Sequence, residues 1–293
     1  MDDQQWLAER FEEHRPRLRA VAYRMLGSLS EADDAVQDAW LRVSRADTSE
    51  VENLSAWLTT IVARVALNQL RSRKTRREAS LDMHVPDPII DRADGTDPEH
   101  EALLADSVGL ALLVVLETLT PPERLAFVLH DMFGVPFEQI APIVDRSSDA
   151  ARQLASRARR RVRGAAPVPD ADLSAQWQVV EAFLAAAHEG NFDGLLAVLD
   201  PDVLLRADGG GLTDLSRHIR GAEAVANSAT MWSRVALDMR RALVNGTPGF
   251  VNLRDGQPFS VAAVTIRGGR IVEMNILADP ERLAKLDLAV LDD

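Results

Sequence analysis

From residue 4 to residue 77 apolar side chains return every three or four positions, the spacing that gives a helix one buried face. Leu7, Phe11, Leu18, Val21, Met25 and Leu26 form the first series. Pro16 is placed to open a fresh helical segment, because proline suits a first turn and disrupts an interior. Gly27 fits a stop, and Ser30 followed by Asp33 fits a helix start. A second helix, over about 31–44, buries Ala32, Val36, Ala39, Trp40 and Val43. A third, over about 54–72, buries Trp57, Leu58, Ile61, Val65 and Leu70. The pattern predicts a small helical bundle.

Periodicity lapses over 78–105, where Val85-Pro86-Asp87-Pro88 and Asp94-Gly95-Thr96-Asp97-Pro98 mark a linker. Helical spacing resumes from about 102 to 163. Thr120-Pro121-Pro122-Glu123 is a start signal, with proline near the first helical position. Arg124–Phe133, a break at Gly134, Phe137–Val144, a turn at Asp145-Arg146 and a last helix from Ser147 follow. Two short helices about a tight turn, the second rich in arginine, form a helix-turn-helix pattern.

Past a proline-containing boundary at 165–174 the periodicity changes class. An amphipathic helix over 175–189 precedes strand-like stretches at Val203–Ala207, Leu237–Val244, Gly249–Leu253, Phe259–Arg267 and Arg270–Ile276. Asn245-Gly246, Asp255-Gly256 and Gly268-Gly269 punctuate them as hairpins. A curved antiparallel sheet with helices, an α+β domain, is expected over 175–293. The division is therefore 1–77, linker 78–105, 106–164, linker 165–174 and 175–293.

Composition narrows the function. The 293 residues are 46% apolar and 27% charged, the balance of a soluble globular protein. No apolar run approaches the ~20 residues of a membrane span. The acidic amino end, Met1-Asp2-Asp3, is unlike a basic secretory leader, so the cytoplasm is the expected compartment. Without cysteine, disulfides, thiolate metal sites and cysteine nucleophiles are excluded. The net charge of −12 argues against nucleic acid until it is divided along the chain. Residues 64–77 carry six basic and no acidic side chains, and 146–163 carry seven basic and one acidic. Residues 78–105 carry one basic and eight acidic side chains. Two basic islands in an acidic chain are candidate phosphate footprints.

Each island sits on a helix. In the last helix of the middle domain, Ala151, Leu154, Ala155, Ala158 and Val162 share an inward stripe. Arg152, Gln153, Ser156, Arg157 and Arg160 point outward, and arginine and glutamine pair with guanine and adenine edges in a major groove. Arg146, Arg159, Arg161 and Arg163 suit phosphates. A solvated basic face is the plain alternative, but no acidic residue at i+4 balances these arginines. On the third helix, Thr60, Arg64, Asn68 and Arg71 make one polar face that Arg73, Lys74, Arg76 and Arg77 extend. Trp57 is a core residue or a platform for an unpaired base. The second helix shows Asp34, Gln37, Asp38, Leu41 and Arg42 outward, an acidic face with a leucine that repels DNA and suits a protein partner.

Leu18–Val43, Ala56–Arg77 and Leu119–Arg163 resemble the two helical domains of an extracytoplasmic-function RNA polymerase sigma factor. Ala22-Tyr23-Arg24-Met25-Leu26-Gly27 and Asp33-Asp34-Ala35-Val36-Gln37-Asp38 resemble that family's polymerase-clamp region. The resemblance implies polymerase contacts at Asp33, Asp34, Gln37, Asp38, Leu41 and Arg42. It implies −10 contacts at Trp57, Thr60, Arg64, Asn68, Arg71, Arg73 and Lys74, and −35 contacts at Arg146, Ser148, Arg152, Gln153, Ser156, Arg157 and Arg160. The implied partners are core RNA polymerase (its beta-prime clamp and beta flap) and promoter DNA, with no membrane.

The resemblance extends to the sigma-J type, whose members carry a cone-shaped SnoaL-like domain used for control in place of a separate anti-sigma factor. Asp208-Gly209-Gly210-Gly211 resembles its DGGGK motif, with Leu212 in place of lysine. Ala278-Asp279-Pro280-Glu281-Arg282-Leu283 resembles NPDKL, and His84-Val85-Pro86-Asp87-Pro88 stands where a WLPEP-like linker motif belongs. Pro86, Asp87, Pro88, Asp208, Gly209, Gly210, Gly211, Asp279 and Pro280 are the implied regulatory residues. The expected architecture is thus two all-α sigma domains followed by an α+β SnoaL-like domain, with a small ligand as a further candidate partner.

Some SnoaL-like relatives are cyclases or isomerases, and Asp208 with His218 is the obvious acid–base pair here. No motif ties the two together, so no catalytic residue is assigned. His14, His84, His100, His130 and His188 lack ligand spacing, and no metal or cofactor is expected. Two competing readings remain: a ligand-responsive helix-turn-helix regulator acting without polymerase, and a SnoaL-type enzyme fused to a DNA-binding arm.

Overall fold

The computed structural model describes residues 3–48, 51–76, 84–93, 95, 109–232 and 237–288. These fall into two compact units, one holding residues through 76 together with 115–165, the other holding 84–93, 95, 109–114 and 166–288.

The first unit begins with α1 (Asp3–Leu26), α2 (Leu29–Val43) and α3 (Leu54–Arg76). Pro16 does not open a new helix; α1 runs through it. The hydrogen bond that proline removes is offset by the burial of Phe11 and Leu18 on either side. The α2 cap is Ser28, not Ser30: its backbone is extended and its side chain accepts from Glu31 N at 3.5 Å. Phe11 packs on Trp40 with ring centroids 5.0 Å apart. The buried stripe of α3 is Leu58, Val62, Val65 and Ala66, while Trp57, Ile61 and Leu70 are half-buried. The real face is rotated by about one residue from the expected one.

Then come α4 (Leu110–Glu117), which is divided between the two units after Val114, α5 (Pro121–Phe127), a π turn (Val128–Met132), α6 (Phe137–Val144) and α7 (Ser148–Ala165). Glu123 closes the α5 start by accepting from Thr120 N at 3.2 Å and Thr120 Oγ1 at 2.8 Å. Asp145, at φ 56°, turns the chain between α6 and α7. The helix expected over 124–133 is instead α5 plus the π turn. Within this unit α5 packs on α3 and α7, and an arginine ties it to α1. Arg124, 3% exposed, donates Nε to Arg24 O at 3.0 Å. Arg24 in turn lies 4.9 Å from the Phe133 ring centroid.

The second unit contains α8 (Leu173–Glu189), α9 (Phe192–Val198), β2 (Leu199–Asp208), β3 (Arg217–Arg220) and α10 (Ala222–Trp232). It continues through β4 (Asp238–Val244), β5 (Thr247–Arg254), β6 (Gln257–Arg267), β7 (Arg270–Leu277) and α11 (Pro280–Leu283). With β1 (Ile90–Arg92) at one edge, the sheet order is β1-β4-β5-β6-β7-β2-β3. The expected hairpins are present, with φ of 50° and 74° at Asn245-Gly246 and 52° and 75° at Asp255-Gly256, the left-handed pair that a two-residue turn requires. The sheet is mixed rather than antiparallel, since β2 runs parallel to β7. Val180, Phe183, Leu205, Phe250, Val264 and Met274 belong to the core between helices and sheet.

One strand comes from the expected linker. Ile90–Arg92 forms β1 and pairs antiparallel with β4, Ile90 opposite Val244 and Arg92 opposite Ala242. Asn245 secures the join, its N donating to Ile89 O at 2.8 Å and its Oδ1 accepting from Ile89 N at 3.2 Å. The stretch 84–90 is therefore docked backbone, not a solvated tether.

Candidate nucleic-acid interface and linker clasp

On α7, Ala151, Ala155 and Ala158 are buried, which turns Arg152, Gln153 and Arg160 to the surface. Arg160 Nη1 donates to Ser156 Oγ at 3.1 Å. Arg146 is exposed and Ser148 is half-buried at the helix start. The arginines are better balanced than spacing alone implied, because acids arrive from neighbouring turns and helices. Arg152 meets Asp149 at 2.6 Å, Arg159 meets Asp131 at 2.6 Å, and Arg157 Nε donates to Glu123 Oε1 at 3.1 Å. Burial pushes the Glu123 carboxyl up, but hydrogen bonds from Thr120 and Arg157 and the charge of Arg161 bring it below its ordinary value.

On α3, Arg64, Asn68 and Arg71 are exposed together. Arg64 Nη2 donates to Pro142 O of α6 at 3.4 Å. Thr60 spends its hydroxyl on Ala56 O at 2.9 Å. Arg73 departs from the expected role: it binds Glu31 at 3.0 Å and Leu26 O at 2.9 Å, tying α3 to α2 and the end of α1. The side chain of Lys74 lies outside the described residues. On α2, Asp34, Gln37, Asp38, Leu41 and Arg42 are exposed as expected, Leu41 by 47%. Asp33 is exposed too, but it accepts from Arg19 at 2.6 Å and 3.1 Å.

In the second unit the regulatory candidates converge. Asp208, at the end of β2, accepts from Val85 N at 3.0 Å and Gly210 N at 3.0 Å, and lies 3.0 Å from His84 Nδ1. Arg282 Nη1 donates to the same carboxylate at 2.8 Å. Arg282 also donates to Asp87 Oδ1 at 2.6 Å and 2.8 Å and to Val85 O at 2.5 Å. Asp279 sets this arginine by capping α11, accepting from Glu281 N at 2.9 Å and Arg282 N at 3.4 Å. Burial pushes Asp208 up, but His84 and the backbone N–H groups of Val85 and Gly210 hold it far below the usual carboxylate range. Pro86, Asp87 and Pro88 are all buried in this clasp.

The glycines of the motif have unequal roles. A Cβ on Gly210, at φ 58°, would fall 2.1 Å from Asp279 Oδ2, and one on Gly209 would fall 2.6 Å from Leu212 O. A Cβ on Gly211 would meet nothing. Arg282 and His84 are the site residues that sequence reasoning passed over, although both stood inside quoted motifs. The candidate acid–base pair makes no ion pair among the described residues: His218 is exposed and stands opposite Arg206 on the neighbouring strand.

Residues 10–76 match Sigma-70 region 2, and residues 109–162 match Sigma-70, region 4. The chain is 37% identical over 287 residues to the ECF RNA polymerase sigma factor SigJ of Mycobacterium tuberculosis, covering 93% of this chain and 91% of that protein. It is 33% identical over 279 residues to the probable ECF RNA polymerase sigma factor SigI of the same species, covering 93% of each. The crystal structure of SigJ superposes with a TM-score of 0.75 at 34% identity, covering 96% of this chain and 99% of that one. With both sigma regions and the third domain matched along nearly its whole length, the chain belongs to the extracytoplasmic-function family of RNA polymerase sigma factors.

Proposed function

We propose that this sigma factor directs core RNA polymerase to its promoters and that the C-terminal domain governs the step in cis by holding the linker. The observation that carries the reading is Arg282, which joins Asp87 and Val85 of the linker to Asp208 of the sheet. The acidic face of α2, with Leu41 exposed, is the surface for the polymerase clamp. Arg64, Asn68 and Arg71 read or grip the −10 element; Arg146, Arg152, Gln153 and Arg160 serve the −35 element. A regulator using the helix-turn-helix alone leaves the whole of region 2 without a task. Control comes from the chain's own linker contacts, without a separate anti-sigma factor. The third domain acts by binding rather than catalysis, since the Asp208 carboxylate is consumed by the clasp.

The first unit adds a constraint. Arg64 touches Pro142 of the helix-turn-helix and Arg124 is seated on α1, so the two readers must part before both promoter elements are contacted at once. The test is transcription from fragmented genomic DNA with purified core polymerase, comparing the chain with Arg282→Gln, together with footprints of the assembled enzyme. The expected result is protection at two separated patches and a severalfold change in output with unchanged start sites for the variant. Protection at one patch overturns the sigma reading of the two basic faces, and unchanged output overturns control by the clasp.

A further inference from the structure

The concave face of the sheet, with α8 and α10, lines a partly open cavity of about 140 Å³. Register fixes what faces it. Arg217 on β3 stands opposite Ala207, Ala207 opposite Ile276, Ile276 opposite Ala262, and Ala262 opposite Phe250. Two residues further along β5 and back along β6 are Asn252 and Ser260, paired with each other, and the two-residue period puts them on the same face.

Three features define an occupant. The walls are largely apolar, with Phe183, Phe250 and Met274 prominent, and the volume is close to the ~150 Å³ that accommodates benzene. Arg217 and His188 are the ionisable lining residues. Arg217 is half-buried and its side chain makes no ion pair or hydrogen bond among the described residues, so the lining favours an anion. Finally, Asn252 is 9% exposed; it donates to Ser260 Oγ at 2.8 Å, and its Oδ1 has no partner. Buried polar groups are nearly always satisfied. A hydroxyl group completes this pair whichever way the carboxamide is turned, because it both donates and accepts.

We infer that the cavity is a binding site for a single-ring aromatic acid bearing a hydroxyl group, its carboxylate on Arg217 and its hydroxyl on Asn252 and Ser260. Ala207 and Ala278 line the cavity and directly precede Asp208 and Asp279, so the ligand lies one residue from two parts of the clasp.

Calorimetric titration of the full chain with 4-hydroxybenzoate, benzoate and phenol tests it. Saturable binding of 4-hydroxybenzoate is expected, about threefold to tenfold tighter than benzoate for the one extra hydrogen bond and tighter again than phenol. Arg217→Met lowers its affinity to that of phenol, and Asn252→Leu erases its advantage over benzoate. Ala229→Phe, on the lining, fills the cavity and removes binding of all three. Thermal melts of each variant establish that it is folded. No saturable binding, equal affinity for 4-hydroxybenzoate and either truncated probe, or affinities unmoved by Arg217→Met and Ala229→Phe overturns the assignment.

Discussion

Arg282 and Asp87 are 195 positions apart, yet their side chains meet at 2.6 Å. Both are under one-fifth exposed, 19% and 11%. Removing one member of such a pair leaves the other buried and uncompensated, at a cost of about 2–4 kcal/mol after allowance for partial exposure. Arg282→Gln is therefore expected to destabilise the second unit by that amount in urea unfolding. Proteolytic cleavage within 84–93 should rise severalfold in the same variant. Continued protection of that stretch would show that β1 alone retains the linker.

Acid acts on the same clasp through Asp208. Its carboxyl is held below its ordinary value by His84 and two backbone N–H groups, against the opposing effect of burial. A depressed carboxyl contributes stability that is complete above the unfolded value, about 3.9, and is lost as the pH falls through the folded one. Urea midpoints of the second unit should therefore fall on acidification below about pH 4. In Asp208→Asn the midpoint is lower at neutral pH and this part of the acid dependence is gone. Parallel curves for the two proteins from pH 5 to 3 would remove Asp208 as the anchor.

Helix periodicity and turn chemistry made much of this architecture legible in advance. Phe11, Leu18 and Val36 announce their buried faces, and Asn245-Gly246 and Asp255-Gly256 announce hairpins. Strand β1 was not legible, because Val85-Pro86-Asp87-Pro88 has the composition of a tether and its partner, β4, lies some 150 positions later. Nor was Arg73, whose place in a basic run concealed the carboxylate of Glu31 on another helix. Local pattern fixes which face of an element is buried; it says nothing about which distant charge a side chain will meet.

The glycine motif offers a graded test. Gly210→Ala places a Cβ against the Asp279 carboxylate at a left-handed φ, so the cap on α11 and the aim of Arg282 are both disturbed. A loss of about 1–3 kcal/mol is expected from the backbone strain. Gly211→Ala, facing open space, should lie within about 0.5 kcal/mol of the parent chain. Equal losses for the two would mean that the motif acts through flexibility and not through close approach.

Two arginines on α3 separate structure from recognition. Arg73 is tied to Glu31 and Leu26 O inside the bundle, while Arg64 is exposed. Arg73→Ala should lower the unfolding midpoint of the first unit, a destabilisation of about 1–3 kcal/mol, the cost of a partly buried charged hydrogen bond. Arg64→Ala should leave the midpoint alone and weaken opening of promoter DNA, read by permanganate reactivity of unpaired thymines in the assembled enzyme. If Arg64→Ala also unfolds the unit, its contact with Pro142 O is structural.

The pairing of Arg157 with Glu123 at 3.1 Å bears on the proposed −35 face in the same way. Arg157 is 49% exposed, so the pair is worth at most about 1 kcal/mol in water. To reach DNA, Arg157 must leave this carboxylate. Glu123→Gln keeps an acceptor for the Thr120 cap and removes the charge, and it should tighten promoter binding by the polymerase holoenzyme about twofold to fivefold. Arg157→Ala should weaken binding, and titration against promoters altered base by base separates the two kinds of contact. A loss confined to certain −35 bases marks base reading, whereas an even loss with a shallower salt slope marks a phosphate. The double variant decides the source of the gain. If Glu123→Gln tightens binding as much when residue 157 is already alanine, the carboxylate was repelling DNA directly and Arg157 was never the group it restrained.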